Sequence, residues 1–388
     1  MEFMVLNAPT AVGASTIIAI LYFIYNLFLK PKSHLANLPT LGQPSDPYLQ
    51  DLLIEGSKKA CDQMTDPLTS TSPHNAQYPD SPYTIPEVLH EPNTLILPKK
   101  YIDEVKSIPE TVLSLNRSVY ARYGGKYTTL GELGTHNHVM IESIKLDLTR
   151  NIARTLEGLQ DEADYAIPSC IGDFEDWTPI QFYPKILRVI ALLSGRIFVG
   201  LPLCRDEAWI EATINYTMDA FAAIQPVKKI SPLLRPFKAP WIPEVQRIKQ
   251  HRDNGARLLK PILEKRFSDM RSPDFKPPAD MIQFVIQHSG AKAEDAMFQS
   301  FVQMVTSLAA IHTTAMNITH IIYNLAIYPE YQGPLRRELQ EVLRADNGIL
   351  IKSNMTKLKK MDSFIKESQR MAPPNACSSA LQSLPQQP

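Results

Sequence analysis

Three groups of residues carry the types and spacing that chemistry needs. The first is Ala309-Ala310-Ile311-His312-Thr313-Thr314, where an imidazole and two hydroxyls interrupt an apolar run. A histidine can relay protons near neutral pH, and a positioned hydroxyl can pass them on. The plainer alternative is that Thr313 and Thr314 bond to carbonyls one turn back, as threonine often does inside a helix. The second group is Glu367-Ser368-Gln369-Arg370, with acid and base at helical i, i+3 spacing. On its own such a pair is usually a solvated surface ion pair. The third is His136-x-His138, which suggests a metal pair but has no third or fourth ligand beside it, so structural or surface roles rank ahead of metal binding.

Other chemistries are excluded by what the sequence lacks. It contains no GxxxxGK[ST] phosphate loop, no strand-linked GxGxxG and no GxSxG nucleophile elbow. The four cysteines, Cys61, Cys170, Cys204 and Cys377, form no CxxC pair, so neither a zinc site nor a disulfide framework is expected, and they read as reduced thiols facing the cytosol. Cys204 is expected to pack as a small hydrophobe. Forty basic residues balance forty acidic ones, so no global field recruits nucleic acid, and a small-molecule site is the better expectation.

The elements that must position these residues are mostly helical. Prolines number 32 against 15 glycines, a balance that favours helices joined by rigid connectors. A strand is expected at Thr94 to Leu97, with Pro98 opening a helix through Tyr101, Ile102 and Val105. Apolar spacing predicts further helices over Ile141 to Leu159, Ile180 to Phe198, Glu207 to Ile224, Pro243 to Phe267 and Lys292 to Ile327. The last would be roughly 50 Å long at 1.5 Å per residue and must cross the whole domain. Phe301 to Ile327 is apolar on nearly every face, which predicts a helix buried all round, with Ser307, His312, Thr313, Thr314 and Asn317 as costly polar insertions unless paired or used.

At the amino terminus, residues 1–10 form a short expected luminal segment. Ala11 to Leu29 then runs 19 positions without a charge, enough for one membrane-spanning helix. Glu2 before the stretch and bulky Tyr22, Phe23, Tyr25 and Phe28 within it favour an uncleaved anchor over a signal peptide. Lys30 and Lys32 place the following chain on the cytoplasmic side, and the prolines of residues 30–50 make a stiff tether. The sequons at Asn116, Asn215, Asn317 and Asn354 would then stay unglycosylated.

Order and spacing together resemble the cytochrome P-450 family, the haem-thiolate monooxygenases. Ala309 to Thr314 is similar to the family's [AG]-G-x-[DE]-T-[TS] signature, and Glu367 to Arg370 matches its ExxR. Similarity to fungal membrane-bound members continues through Ser194 to Gly200, Leu203 to Trp209, and Tyr328-Pro329-Glu330. The resemblance implies a mainly α fold with a small β region, spanning residues 51–374 as a partial P-450 domain. It implies haem b, an NADPH-cytochrome P-450 reductase as partner, a lipophilic substrate drawn partly from membrane lipid, and the endoplasmic reticulum membrane as location. Fungal relatives of this kind commonly tailor terpenoids and other secondary metabolites. Thr313 would lie beside dioxygen, with His312 where the family usually has an acid, and Ala309 and Ala310 would flank the haem. His138 would approach the propionates. Glu367 and Arg370 would lock the proximal side through a buried network.

The family's haem-ligating cysteine sits in an FxxGxxxCxG loop well beyond ExxR, whereas 18 residues follow Arg370 here. Cys377, flanked by Ala376 and Ser378, has no glycine-bearing loop around it and is not expected to be the ligand. Residues 375–388 turn abruptly polar and aperiodic. The expectation is therefore a shortened gene product, a P-450 fold lacking its carboxy-terminal haem-binding portion. The alternative function is a non-catalytic, membrane-tethered remnant or binding protein.

Overall fold

The computed structural model describes residues 82–85, 94–128, 137–346, 348–372 and 382–383. The expected anchor and tether, His136, Cys61, Cys377 and most of the polar tail lie outside them. The chain divides into two compact units, 1–87 with 92–106, and 88–91 with 107–388. In the first, β1 (Tyr83–Ile85) pairs antiparallel with β2 (Thr94–Ile96), setting Tyr83 opposite Ile96, and a short 3-10 turn leads into α1 (Ile102–Ser107). The strand and the helix after Pro98 are where the sequence places them.

The second unit is helical. It runs β3 (Leu113–Ser114), α2 (Leu115–Arg122) and α3 (His138–Glu142), which passes through π-helical Ser143–Leu148 into α4 (Thr149–Ile171). Next come α5 (Phe182–Phe198), α6 (Glu207–Lys229), α7 (Arg235–Lys238) and α8 (Pro243–Asp269). The remainder is α9 (Met281–Ser289), α10 (Ala296–Ile327), α11 (Gln332–Arg344), α12 (Lys352–Met355) and α13 (Lys359–Met371), with β4 (Gln382–Ser383) pairing antiparallel to β3.

Helix starts follow local chemistry. Asp206, Asp280 and Asp295 each accept from first-turn N–H groups of α6, α9 and α10, satisfying donors that the helix itself leaves open. Asp295 also explains why α10 begins at Ala296 and not at the expected Lys292: its carboxylate takes Met297 N and Phe298 N at 2.9 and 3.2 Å. α6 runs five residues past the expected Ile224, through Pro226 to Lys229, because its inner face stays buried to Val227 and Lys228.

α10 is the axis of this unit, packed by α5, α6, α8 and α13. The main core joins Trp209, Tyr216 and Ala220 of α6 to Leu259 and Leu263 of α8, with Phe301, Val302 and Met304 of α10 between them. Gly255 lets α8 approach α10 closely, since a Cβ there would lie 2.4 Å from Ser300 Oγ. A second core centres on α5, whose Val189, Ile190 and Leu192 meet Ile311 and Ala315 of α10.

One expectation is corrected here. α10 is not buried all round: Phe298 through Ser307 are, but Ala309, Thr313, Thr314, His320, Ile322, Tyr323 and Ile327 are exposed. Ala309, Thr313 and His320 share one exposed face, while Tyr323 has the Phe182 ring of α5 6.1 Å away. Among the described residues, no helix is long and apolar enough to cross a membrane.

Candidate functional site

The candidate site lies where α10 leaves the core. Successive residues turn about 100° around a helix, so Gln299, Gln303, Thr306, Thr313 and Asn317 share one stripe. The stripe begins buried and ends exposed. Gln299 Nε2 donates to Ile282 O at 3.4 Å, whereas neither polar atom of the Gln303 amide, one turn on, has a hydrogen-bond partner among the described residues. Thr306 Oγ1 donates to Val302 O at 2.8 Å and Thr313 Oγ1 to Ala309 O at 2.6 Å, the back-bonding that threonine adopts inside helices. Asn317 Nδ2 in turn donates to Thr313 O at 2.9 Å.

His312 and Thr313 send their hydrogen bonds in different directions. His312 is half-buried against α6, and its Nε2–H donates to Ile214 O at 3.2 Å. Burial lowers its pKa, with the carbonyl acting weakly in the opposite sense. It is therefore a neutral tie between α10 and α6. Ala310 packs against the main core, while Ala309 faces solvent beside Thr313.

Glu367 and Arg370 pair bidentately, with Nη2–Oε1 at 2.6 Å and Nε–Oε2 at 2.8 Å. Arg370 holds the Glu367 carboxyl below the usual range. Both side chains are largely solvent-exposed, 55% for Glu367 and 70% for Arg370. Among the described residues the two form an exposed pair on α13; the buried network that the resemblance implies takes its third member from sequence beyond Arg370. His138 is exposed at the first residue of α3. The structure does not bring it, Thr313 and Glu367 into one hydrogen-bonded constellation.

The cluster that sequence reasoning missed is elsewhere. Glu162 of α4 is fully buried and accepts from Arg205 Nε at 3.1 Å and Nη2 at 3.0 Å, with Arg196 Nε 4.0 Å away. The sequence offers only a partial signal: Arg196 stands in an apolar run, whereas Arg205 is followed by Asp206 and Glu207, which are nearer candidates for its partner. Cys204 beside them is fully buried, and burial, aided by the Glu162 charge, pushes its thiol up to about 11. It packs as the small hydrophobe expected.

Comparisons with known proteins fit this architecture. The family model described as Cytochrome P450 matches residues 195–379. The chain is 39% identical over 378 residues to cytochrome P450 monooxygenase BOA4 of Botryotinia fuckeliana (strain B05.10), covering 96% of this chain and 72% of that one. It is 36% identical over 388 residues to cytochrome P450 monooxygenase ascG of Acremonium egyptiacum, covering 95% of this chain and 68% of that one. Among solved structures, retinoic acid bound cyanobacterial CYP120A1 superposes with a TM-score of 0.52 at 12% identity, over 76% of this chain and 62% of the other, a likeness of fold alone. The fungal matches extend over more than two thirds of each relative, and on that ground this chain belongs to the cytochrome P450 family of haem-dependent monooxygenases.

Proposed function

We propose that the protein serves the oxidation of a lipophilic secondary metabolite of terpenoid type in a fungal biosynthetic pathway, with electrons from NADPH passed by a partner reductase. The endoplasmic reticulum membrane, with the body facing the cytosol, is the location that suits such a substrate. The observation that carries the lipophilic reading is the uncharged wall of α10: Ala309, Ala310, Thr313 and Thr314 offer methyl groups and hydroxyls and no ionised group. A wall of this kind favours apolar ligands, with a few polar groups to orient them.

Family membership implies haem, and haem-thiolate chemistry needs a sulfur anion on the iron, which favours O–O cleavage. The described residues do not fit that requirement. Cys204 is a buried neutral thiol packed on Gly195 and Glu162, and Cys170 closes α4 with its Sγ 3.9 Å from Ser169 Oγ. Neither lies on the α10 stripe, whose Thr313 is open to solvent. The described residues supply one wall and no thiolate.

A second reading is a membrane-tethered binding protein that keeps the apolar wall without turnover. Co-expression of the chain with a reductase in yeast membranes, supplied with terpenoid and non-terpenoid lipophiles, separates the two. A product heavier by one oxygen, together with the carbon monoxide difference band typical of thiolate-ligated haem, supports the monooxygenase. Ligand retention without either signal supports the binding protein.

A further inference from the structure

We propose that Glu338 of α11 is a positioning residue for the Glu367–Arg370 pair, acting from a neighbouring helix as the amino-terminal cap of α13. The residue at the cap position of α13 is Leu358, whose side chain supplies no acceptor. Its place is taken by the Glu338 carboxylate, which accepts from Lys360 N at 2.8 Å through Oε1 and from Met361 N at 2.9 Å through Oε2. The acid within α13's own first turn, Asp362, is engaged by Lys366 Nζ at 2.7 Å.

Two features make this cap matter more than most. The first turn of α13 carries Lys359 and Lys360, positive charges at the positive end of the helix dipole, and Glu338 offsets both. α13 fully buries only Ser368 among its described residues and half-buries Met361, Phe364 and Ile365, so its first turn depends on the cap more than on core packing. The second attachment to this part of the fold is the Tyr331 ring, 5.6 Å from that of Phe364. α13 packs along α10 and α11, with the Glu338 carboxylate at its start and the Tyr331 ring at its middle, and Glu367 and Arg370 lie on the turn that follows. The groups facing Glu338 from α13 are the charges of Lys359 and Lys360 and the two backbone N–H donors, with Arg337 and Glu341 beside it on α11. Burial alone would raise the Glu338 carboxyl; the backbone donors and the Lys360 charge outweigh it and hold it below the usual range.

Hydrogen exchange on the full chain tests this without haem, substrate or turnover, so its result is independent of the proposed function. Glu338→Ala is expected to speed exchange across residues 359–371 by roughly tenfold, leaving α5, α6 and α8 unchanged. Glu338→Gln keeps one acceptor oxygen and no charge, and should fall between. After correction for intrinsic rates, the parent should lose α13 protection as pH drops from about 7 through the carboxylate range, while Glu338→Gln stays flat. Equal α13 protection in parent and Glu338→Ala, or the same pH profile in parent and Glu338→Gln, would overturn the proposal. So would a rise in exchange spread evenly over all helices. Should Glu338→Ala fail to fold, the Glu338→Gln profile decides alone.

Discussion

Glu162 with Arg205, and Glu367 with Arg370, are the same two functional groups at similar distances in opposite surroundings. The Glu162 carboxylate is fully removed from water in the seam between α4 and α5, with Arg205 and Arg196 reaching it from partly exposed positions. The Glu367 carboxylate stands in solvent on α13. Coulomb attraction at a given distance is several-fold stronger where water is excluded, but the cost of desolvation rises with it. The contrast teaches that a motif tells which residues pair, whereas the surroundings tell what the pairing does. In the residues described here the motif pair holds little together, and the unremarked pair locks three chain segments.

The largest expected effect follows from removing the buried carboxylate. Glu162→Ala leaves two guanidinium groups without their partner at the edge of the core, and breaking a buried pair costs about 3 kcal/mol. Urea denaturation should show a lower midpoint at unchanged slope, with Glu162→Gln falling between variant and parent. An unchanged midpoint would erase the distinction drawn between the two pairs.

The second test carries the same contrast to glycine. Gly255 faces Ser300 Oγ at 2.4 Å and Met304 Cε at 2.8 Å from an ideal Cβ, so Gly255→Ala must displace both side-chain ends and the bond from Ser300 Oγ to Arg252 O, at about 1 kcal/mol or more. Gly333, exposed on α11, meets Arg337 Nη1 at 3.5 Å, and Gly333→Ala should be neutral or stabilising by up to ~1 kcal/mol. Thermal melts of the two variants should move in opposite directions, or the second not at all.

A smaller effect is expected from His312, whose pKa burial lowers. Above the ordinary histidine value of about 6.5 both folded and unfolded chains are neutral there, and the residue contributes no pH dependence. As pH falls below that value the unfolded chain takes up a proton that the folded chain resists, so stability declines until the depressed folded pKa is reached. His312→Asn should flatten that part of the stability profile between about pH 6.5 and the acid limb. An unchanged slope would mean that His312 is more open to water than its contact with Ile214 implies.

Much of the fold was legible because its signals are local. Periodicity placed α5, α6 and α8 within a few residues, and Pro243 opens α8 as a proline at a helix start should. Aspartate caps were visible too, yet Asp295 was read through when the long helix was started at Lys292. What was not legible depends on three-dimensional neighbours. An apolar sequence on all faces predicts burial only if something packs on each face, and nothing described packs on Thr313's. The direction of His312 is set by α6, nearly a hundred residues earlier in the chain. The Glu162 cluster joins residues from three separate segments, and no spacing rule connects them.

The smallest expected effect is the one a motif-based reading would rank first. Glu367→Ala or Glu367→Gln removes the anion of an exposed, charge-assisted pair, and exposed pairs of this kind contribute little. Each variant should melt with the parent within the scatter of the measurement, and added salt should abolish any residual difference. A marked loss of stability in either variant would mean that further contacts of this face, beyond the residues described, bury the pair. Glu162 and Glu367 would then belong to one class, and the comparison would rest on how each is buried.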